Sequence, residues 1–466
     1  MEAHTAVLGP WVLVFLLISI IWIIVSTSKW KIHPFLSLLV AAYGMALGTQ
    51  WVAMGYGIPA PFKDSIGKVI ADGFGGILGY IGLVIIAGTI IGVILEKSGA
   101  VLKMAEVVLK VVGPKRPMLA MSIIGYIVSI PVFCDSGYVI LSSLKRALAR
   151  KAAVPLAGMA VALSTGLYAT HTLVPPTPGP IAAAANLGLE GALFQVIVAG
   201  LVVAIPAAAA GYLWAKRVAV KLPTAFDRDS GDGIDAAELA PAALPSAWKA
   251  FLPIVGPIVL IALGSIAQFP SQPFGEGILK DVLVFLGTPV NALFVGLACA
   301  LLLLPRWDGE TLTDWVGKGL VDAASILMIT GAGGAFGAVL KATTVGDYIG
   351  AVLRDAHLGL FLPFLMAAAL KTAQGSSTVA LVTTSAIVAP MLESLGLASG
   401  WGPVLTVMAI GAGAMTVSHV NDSYFWVVSQ FSGMSVTTAY RAQTAATLVQ
   451  GLVAMATVWM LFLVLL

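Results

Sequence analysis

Ala169-Thr-His-Thr-Leu-Val-Pro-Pro-Thr-Pro-Gly-Pro180 interrupts an apolar run that would otherwise cross a membrane. Its prolines cannot continue a helix, and hydrocarbon cannot satisfy the backbone groups that a break sets free. Non-helical backbone at that depth survives only where it is buried in protein or lines a cavity. A second stretch, Thr416-Val-Ser-His-Val-Asn-Asp-Ser-Tyr-Phe-Trp426, has the same character. Two interrupted spans at matching places in two halves of a chain point to a binding site near the bilayer midplane.

The composition around these breaks fits that reading. The chain has 466 residues, of which 59% are hydrophobic and 10% charged, and its mean hydropathy is +0.99. No soluble domain has such a composition, whereas a polytopic helical membrane protein does. The net charge of +3 gives no reason to expect a nucleic-acid partner. Cys134 and Cys299 both lie in apolar segments and form neither a disulfide framework nor a metal-ligand pattern. The first apolar run follows Glu2 and His4 rather than a basic leader, so it reads as a span and not as a cleavable signal.

Crossing a core of roughly 30 Å takes about 20 apolar residues. On that measure spans are expected near 7–26, 32–54, 75–95, 154–187 (broken), 191–215, 249–268, 281–304, 317–340, 402–431 (broken) and 440–465. Two further apolar stretches, 117–148 and 358–391, carry the polar centres Phe133-Cys-Asp-Ser-Gly-Tyr138 and Lys371-Thr-Ala-Gln-Gly-Ser-Ser-Thr378. Each reads as a re-entrant hairpin. The hydrophilic stretch 221–249 reads as a cytoplasmic linker. Its acidic spacing partly matches a calcium loop, but Gly231 and Asp232 are swapped relative to that pattern.

Gly92-Val-Ile-Leu-Glu-Lys-Ser-Gly99 is similar to Gly337-Ala-Val-Leu-Lys-Ala-Thr-Thr-Val-Gly346, and a similar offset relates Ser136 to Ser376 and His171 to His419. A shared offset at three landmarks indicates an internal repeat. Five spans and one hairpin per half make an odd number of crossings, so the second half sits upside down. The expected architecture is an all-α polytopic membrane protein of two inverted repeats, 1–220 and 250–466. Each repeat has five spans, one of them a broken helix, and one hairpin. With both termini outside, nineteen of the 25 Lys and Arg residues, Lys145 and Arg146 among them, fall on cytoplasmic segments. Five fall outside, and Lys371 lies within the second hairpin, as the positive-inside rule requires.

The segments around Phe133–Tyr138, Gly166–Pro180, Lys371–Thr378 and Ser418–Trp426 resemble the gluconate permease family, proton-coupled symporters of sugar acids within the ion transporter superfamily. The resemblance covers nearly the whole chain. It implies import of gluconate or a related small hydroxy-acid across a bacterial inner membrane. The superfamily further implies two hairpins, two broken helices and an elevator-type motion. By analogy with elevator carriers it also suggests a homodimer. Relatives differ in substrate, D-serine included, and the resemblance does not choose among them.

A sugar acid presents one carboxylate and several hydroxyls, and helix N-termini supply free N–H groups and partial positive charge for such an anion. Thr177 can cap a half-helix with Pro178 at its first position. Ser136, and Ser376 or Ser377, can cap the returning arms of the hairpins, and Asn421 and Ser423 the second half-helix. The candidate substrate-binding set is Ser136, Gly137, Thr170, His171, Thr172, Thr177, Gly179, Gln374, Gly375, Ser376, Ser377, His419, Asn421 and Ser423. The plain alternative for each hydroxyl is a bond to a nearby backbone carbonyl. Asp135 and Asp422 are ionisable groups inside the membrane, so either is a candidate proton carrier. Alternatively either carboxylate is held by hairpin amides or by Lys371. The histidines can titrate, bind substrate hydroxyls or brace the broken backbone. Lys371 can attract the anion or extend its amine to the outer surface.

No phosphate-binding loop occurs, so an ion gradient is the expected energy source, with no cofactor and no metal. Sodium coupling is the alternative to protons, since hairpin hydroxyls and carbonyls can also hold sodium. A membrane-embedded enzyme built on His171, His419, Asp135 and Asp422 is the remaining alternative, but it lacks metalloprotease spacing.

Overall fold

The computed structural model describes residues 2–59, 61, 62, 64–113, 115–227, 244–267, 274–343, 348, 359–419 and 422–465. Among these residues every regular element is helical. The helices are α1 (Glu2–Ser28), α2 (Pro34–Gly55), α3 (Ile66–Lys97), α4 (Ala100–Val112), α5 (Pro117–Val128), α6 (Cys134–Ile140), α7 (Ser142–Lys151), α8 (Leu156–Leu173), α9 (Pro178–Asn186) and α10 (Leu193–Arg217). Next come α11 (Ala247–Ala267), α12 (Ile278–Gly287), α13 (Pro289–Leu301), α14 (Gly309–Ala342), α15 (Phe361–Gln374), α16 (Ser377–Val388), α17 (Gly402–Met415) and α18 (Ser423–Gln430). The last, α19 (Val436–Leu465), contains a π-helical turn at Tyr440–Thr444.

Both interrupted spans are broken where the sequence places the breaks. The first separates α8 from α9 at Val174–Thr177, where Pro175 and Pro176 cannot donate to a helix ladder. The second separates α17 from α18. There Val417 adopts φ 51, a left-handed conformation costly for a β-branched residue. The Thr447 hydroxyl accepts from the Ser418 amide at 3.0 Å, and the Thr444 hydroxyl donates to the Ser418 carbonyl, so side chains of α19 hold this backbone in place.

A helix–turn–helix lies at each of the two polar centres expected to be hairpin tips. The first comprises α5, a turn through Ser129–Phe133, and the returning arm α6–α7. The second turns within two residues. Gly375, at φ 90, ends α15 in a conformation open to glycine, and Ser376 then caps α16 by accepting from the Val379 amide at 3.3 Å.

Several expectations need correction. The stretch near 281–304 is not one straight span: α12 and α13 meet at 78°, with Thr288 extended and Pro289 opening the new helix. Helix α4 is a separate amphipathic element that buries Val101, Met104 and Val108 and turns Lys103, Glu106 and Lys110 outward. Lys145, counted among the basic residues of the expected cytoplasmic segments, is fully buried and not a solvated surface charge. The linker does not begin as free chain. Thr224 is buried, the Ala225 amide donates to the Gly433 carbonyl at 2.8 Å, and Phe226 lies beneath Arg146. The acidic stretch 228–243 lies outside the described residues.

Two packing groups result. In one, α1 and α2 pack together, and α14 packs on α2 and along α3. Gly73 and Gly334 face one another there, and a Cβ on either would strike the other's carbonyl oxygen, so small residues set the approach of these long helices. Helices α11 to α13 pack alongside α3 and α4 and expose apolar side chains such as Val259 and Phe285. In the other group, hairpins and broken helices pack with α10 and α19, and every residue of α8 and of α17 is buried.

Candidate functional site

The polar centres of both hairpins and both breaks meet in the second group. Lys371, on α15 one turn before the second hairpin's tip, is completely buried, and its amine lies 2.6 Å from an Asp422 carboxylate oxygen. The same amine donates to the Gly375 carbonyl. Asp422 is the N-cap of α18: one oxygen accepts from the Tyr424 amide at 3.1 Å, and the other accepts from Lys371 and from the Ser418 hydroxyl at 2.5 Å. A buried ion pair survives its desolvation cost only with such additional bonds. Lys371 therefore stays inside the protein, and the expectation that its amine reaches the outer surface does not hold.

Tyrosines wall the pair. Lys371 lies 5.8 Å from the ring centre of Tyr168, whose hydroxyl shares a 2.7 Å bond with Ser377. The Tyr168 and Tyr424 rings are 5.1 Å apart, and the Tyr424 hydroxyl donates to the Ser164 carbonyl at 2.9 Å. The second break is thereby fastened to α8 and the second hairpin at once.

Asp135 at the first hairpin's tip is close enough to interact with both Asp422 and Lys371. Cys134 and His171 feel the same two charges. Among the described residues, one buried carboxylate oxygen of Asp135 has no hydrogen-bond partner, and neither has Nδ1 of His171, a residue only 7% exposed. Phe133 stacks obliquely near the His171 ring at 6.0 Å. Buried polar atoms are normally satisfied, so two unsatisfied ones beside a charged cluster mark a place where a ligand's groups can complete the bonding.

The remaining candidates divide. Thr170 donates to the Tyr126 carbonyl at 2.9 Å, Thr172 to Tyr168 at 3.1 Å, and Thr177 to Val174 at 2.6 Å. Their hydroxyls are engaged with backbone, the plain alternative for membrane threonines. Thr177 does occupy the cap position before Pro178, without a side-chain capping bond. Ser136 is the third residue of α6, whose cap is Phe133, so the capping expected of it does not occur. Gly137 and Gly179 are packing positions: an added Cβ would meet Leu167 at 2.9 Å and Leu381 at 2.6 Å. Gln374 closes α15. His419 Nε2 donates to the Thr372 carbonyl at 2.8 Å and braces the second break against the second hairpin. Ser423 is exposed as the first residue of α18, and Asp422 rather than Ser423 caps that helix. Asn421 lies outside the described residues.

Sequence reasoning passed over Tyr168, Tyr424 and Ser164. Tyr168 lies one residue before the first quoted stretch and Tyr424 within the second, but a tyrosine in an apolar run gives no signal of which carbonyl or hydroxyl its own will meet.

A helical membrane protein whose polar centre is made from hairpin tips and interrupted helices has the architecture of a secondary transporter. The chain belongs to the GntP permease family, which it matches over residues 11–464. It is 33% identical over 454 residues to the gluconate permease of Pseudomonas aeruginosa, covering 96% of this chain and 97% of that one. It is 34% identical over 456 residues to the D-serine transporter DsdX of Escherichia coli, covering 97% and 98%. Its fold is similar to that of the YdaH transporter of Alcanivorax borkumensis, at 15% identity and a TM-score of 0.66, over 92% of this chain and 99% of that one. The protein is therefore a multi-pass inner-membrane permease and not an enzyme.

Proposed function

We propose that this permease imports gluconate or a related small sugar acid together with protons, and that Asp135 carries the coupled proton. The observation that carries the reading is the imbalance of the site. Lys371 is matched by Asp422, which leaves Asp135, among the described residues, without an ion-pair partner or a full set of bonds. Bringing an anionic substrate beside an ionised Asp135 in a low-dielectric site costs several kcal/mol, and a proton on Asp135 removes that repulsion. The substrate's hydroxyls then have Asp135 and His171 as partners. The family, and relatives named for gluconate, D-serine and L-idonate, support a small polar acid as cargo.

Alternating access follows an inverted-repeat plan in this reading, with residues 1–220 and 250–466 as the repeats, a cytoplasmic linker between them and both termini outside. The hairpin and broken-helix group moves as an elevator against the α1–α3 and α11–α14 group. An apolar crevice between the groups, lined by Pro131, Pro175 and Pro176 on one side and Pro253, Pro257 and Leu293 on the other, supports such sliding because no polar bond there must break. A homodimer would hold the stationary group fixed.

Proteoliposome uptake tests the coupling. Asp135→Asn is expected to retain substrate exchange while losing accumulation driven by an inward proton gradient. Accumulation at the wild-type level in that variant overturns the assignment. Wild-type uptake that follows a sodium gradient and ignores a pH gradient favours sodium coupling instead.

A further inference from the structure

Lys145 is as buried as Lys371, yet the transport site does not use it. It lies on α7 in the first hairpin's returning arm, and among the described residues its bonds go to neutral acceptors. The amine donates to the Tyr138 hydroxyl at 2.9 Å, the Ser432 hydroxyl at 2.9 Å and the Phe431 carbonyl at 3.2 Å. Arg146 donates to the same carbonyl at 3.2 Å. Tyr138 and Ser432 share a 2.6 Å bond.

Phe431 is the C-cap of α18, where unpaired carbonyls and the negative end of the helix dipole collect. Two cations from the first hairpin therefore cap a half-helix of the other half of the chain. At its other end the same helix is capped by Asp422. The hairpin arm lies along α18 between those points, with Tyr138 edge-on to Tyr424 at 6.2 Å. Phe226 closes over Arg146 and packs against Gly433.

We propose that Lys145 is a positioning residue that locks a gate: the first hairpin's arm leaves α18, opening the tip at Cys134 and Asp135, only when the cap over Phe431 is released. A buried ammonium that finds its countercharge in a helix end suits this role. The bond is strong while the arm is seated, and the cation can hydrate when the arm swings away. The gate rests on the transport reading, but its test needs no substrate, gradient or membrane orientation, so it stands or falls separately from proton coupling.

The two native cysteines report it. Cys134, at the hairpin tip, is buried, whereas Cys299 lies on α13 in the other packing group and is partly accessible. Purified full-length protein is pulsed with a maleimide, and labelling is resolved by peptide mass spectrometry. Lys145→Met is expected to speed Cys134 labelling about tenfold and leave the Cys299 rate unchanged, since losing a charge-assisted bond shifts a local opening equilibrium by about that factor. Ser432→Ala, which removes one of three acceptors, is expected to give about a threefold rise. An unchanged Cys134 rate in Lys145→Met overturns the gate, as does a parallel rise at Cys299, which reports global loosening. If Lys145→Met does not fold, an unchanged Cys134 rate in Ser432→Ala overturns it.

Discussion

Each hairpin's returning arm lies against the half-helix that follows the other half's break. The first arm, α6–α7, lies along α18, and the second, α16, packs on α9. The second pair is sealed. Nearly all of α16 and α9 is buried, Gly179 sits against Leu381, and the Asn186 amide donates to the Val382 carbonyl at 3.2 Å and to the Ser385 hydroxyl at 2.9 Å. The first pair is partly open, with Val139 39% and Trp426 38% exposed, and it is held by cations at a helix end. The two pairs thus close in unlike ways: one by close packing and neutral bonds, the other by charge that water can replace.

The largest break in this comparison is expected at the ion pair between them. Asp422→Asn leaves the Lys371 amine buried without a countercharge and is expected to cost about 3–5 kcal/mol. Thermal unfolding of purified protein should fall accordingly, and Lys371→Met combined with Asp422→Leu should recover much of the loss. Unchanged melting in Asp422→Asn would show that the pair does not stabilise the fold.

Gly179→Ala tests the sealed pair. The new methyl would lie 2.6 Å from a Leu381 methyl in a fully buried contact, so a loss of about 1–3 kcal/mol in thermal stability is expected. A variant as stable as the parent would mean that the Leu381 side chain yields to the new methyl, so that this contact does not seal the pair.

Asn186→Leu is expected to cost about 1 kcal/mol, because Ser385 keeps its own bond to the Val382 carbonyl at 3.0 Å. It sharpens the contrast through a second readout: Cys134 labelling should not change. Faster labelling there would mean that the two pairs open together.

The smallest effect is expected away from both. Lys103 and Lys110 hold the Glu106 carboxyl down at about 2, below its ordinary range. A depressed carboxyl stabilises the folded chain above its unfolded value near 4 and loses that contribution as pH falls toward 2. The pair is exposed, so Glu106→Gln should differ only slightly from the parent in melting at pH 7, with the difference vanishing in acid. A large difference at neutral pH would assign α4 a role beyond surface packing.

Much of the site was legible because hydrocarbon is unforgiving. Prolines at 175, 176 and 178, and polar runs at 133–138, 371–378 and 416–426, have no stable place in a continuous span, so they announced both breaks and both hairpins. Partners were legible only as alternatives. Lys371 was open to pairing with Asp135 or Asp422, to anion attraction or to the membrane surface until its 2.6 Å contact with Asp422 decided the matter. Lys145 counted as one more basic residue at a span's end, since charge statistics describe segments and not which lysine turns inward. Thr170, Thr172 and Thr177 looked like ligand donors and proved to be bonded to backbone carbonyls.

The sequence by itself determined the solvent, the helical class, the two breaks and several of the polar residues that meet near them, because burying backbone and charge in a bilayer is expensive and leaves a visible pattern. Tertiary structure alone decided which carboxylate is paired and which is left open, and which helix end the first hairpin caps. Those outcomes depend on distances of a few ångströms between segments far apart in the chain, and no local pattern encodes them.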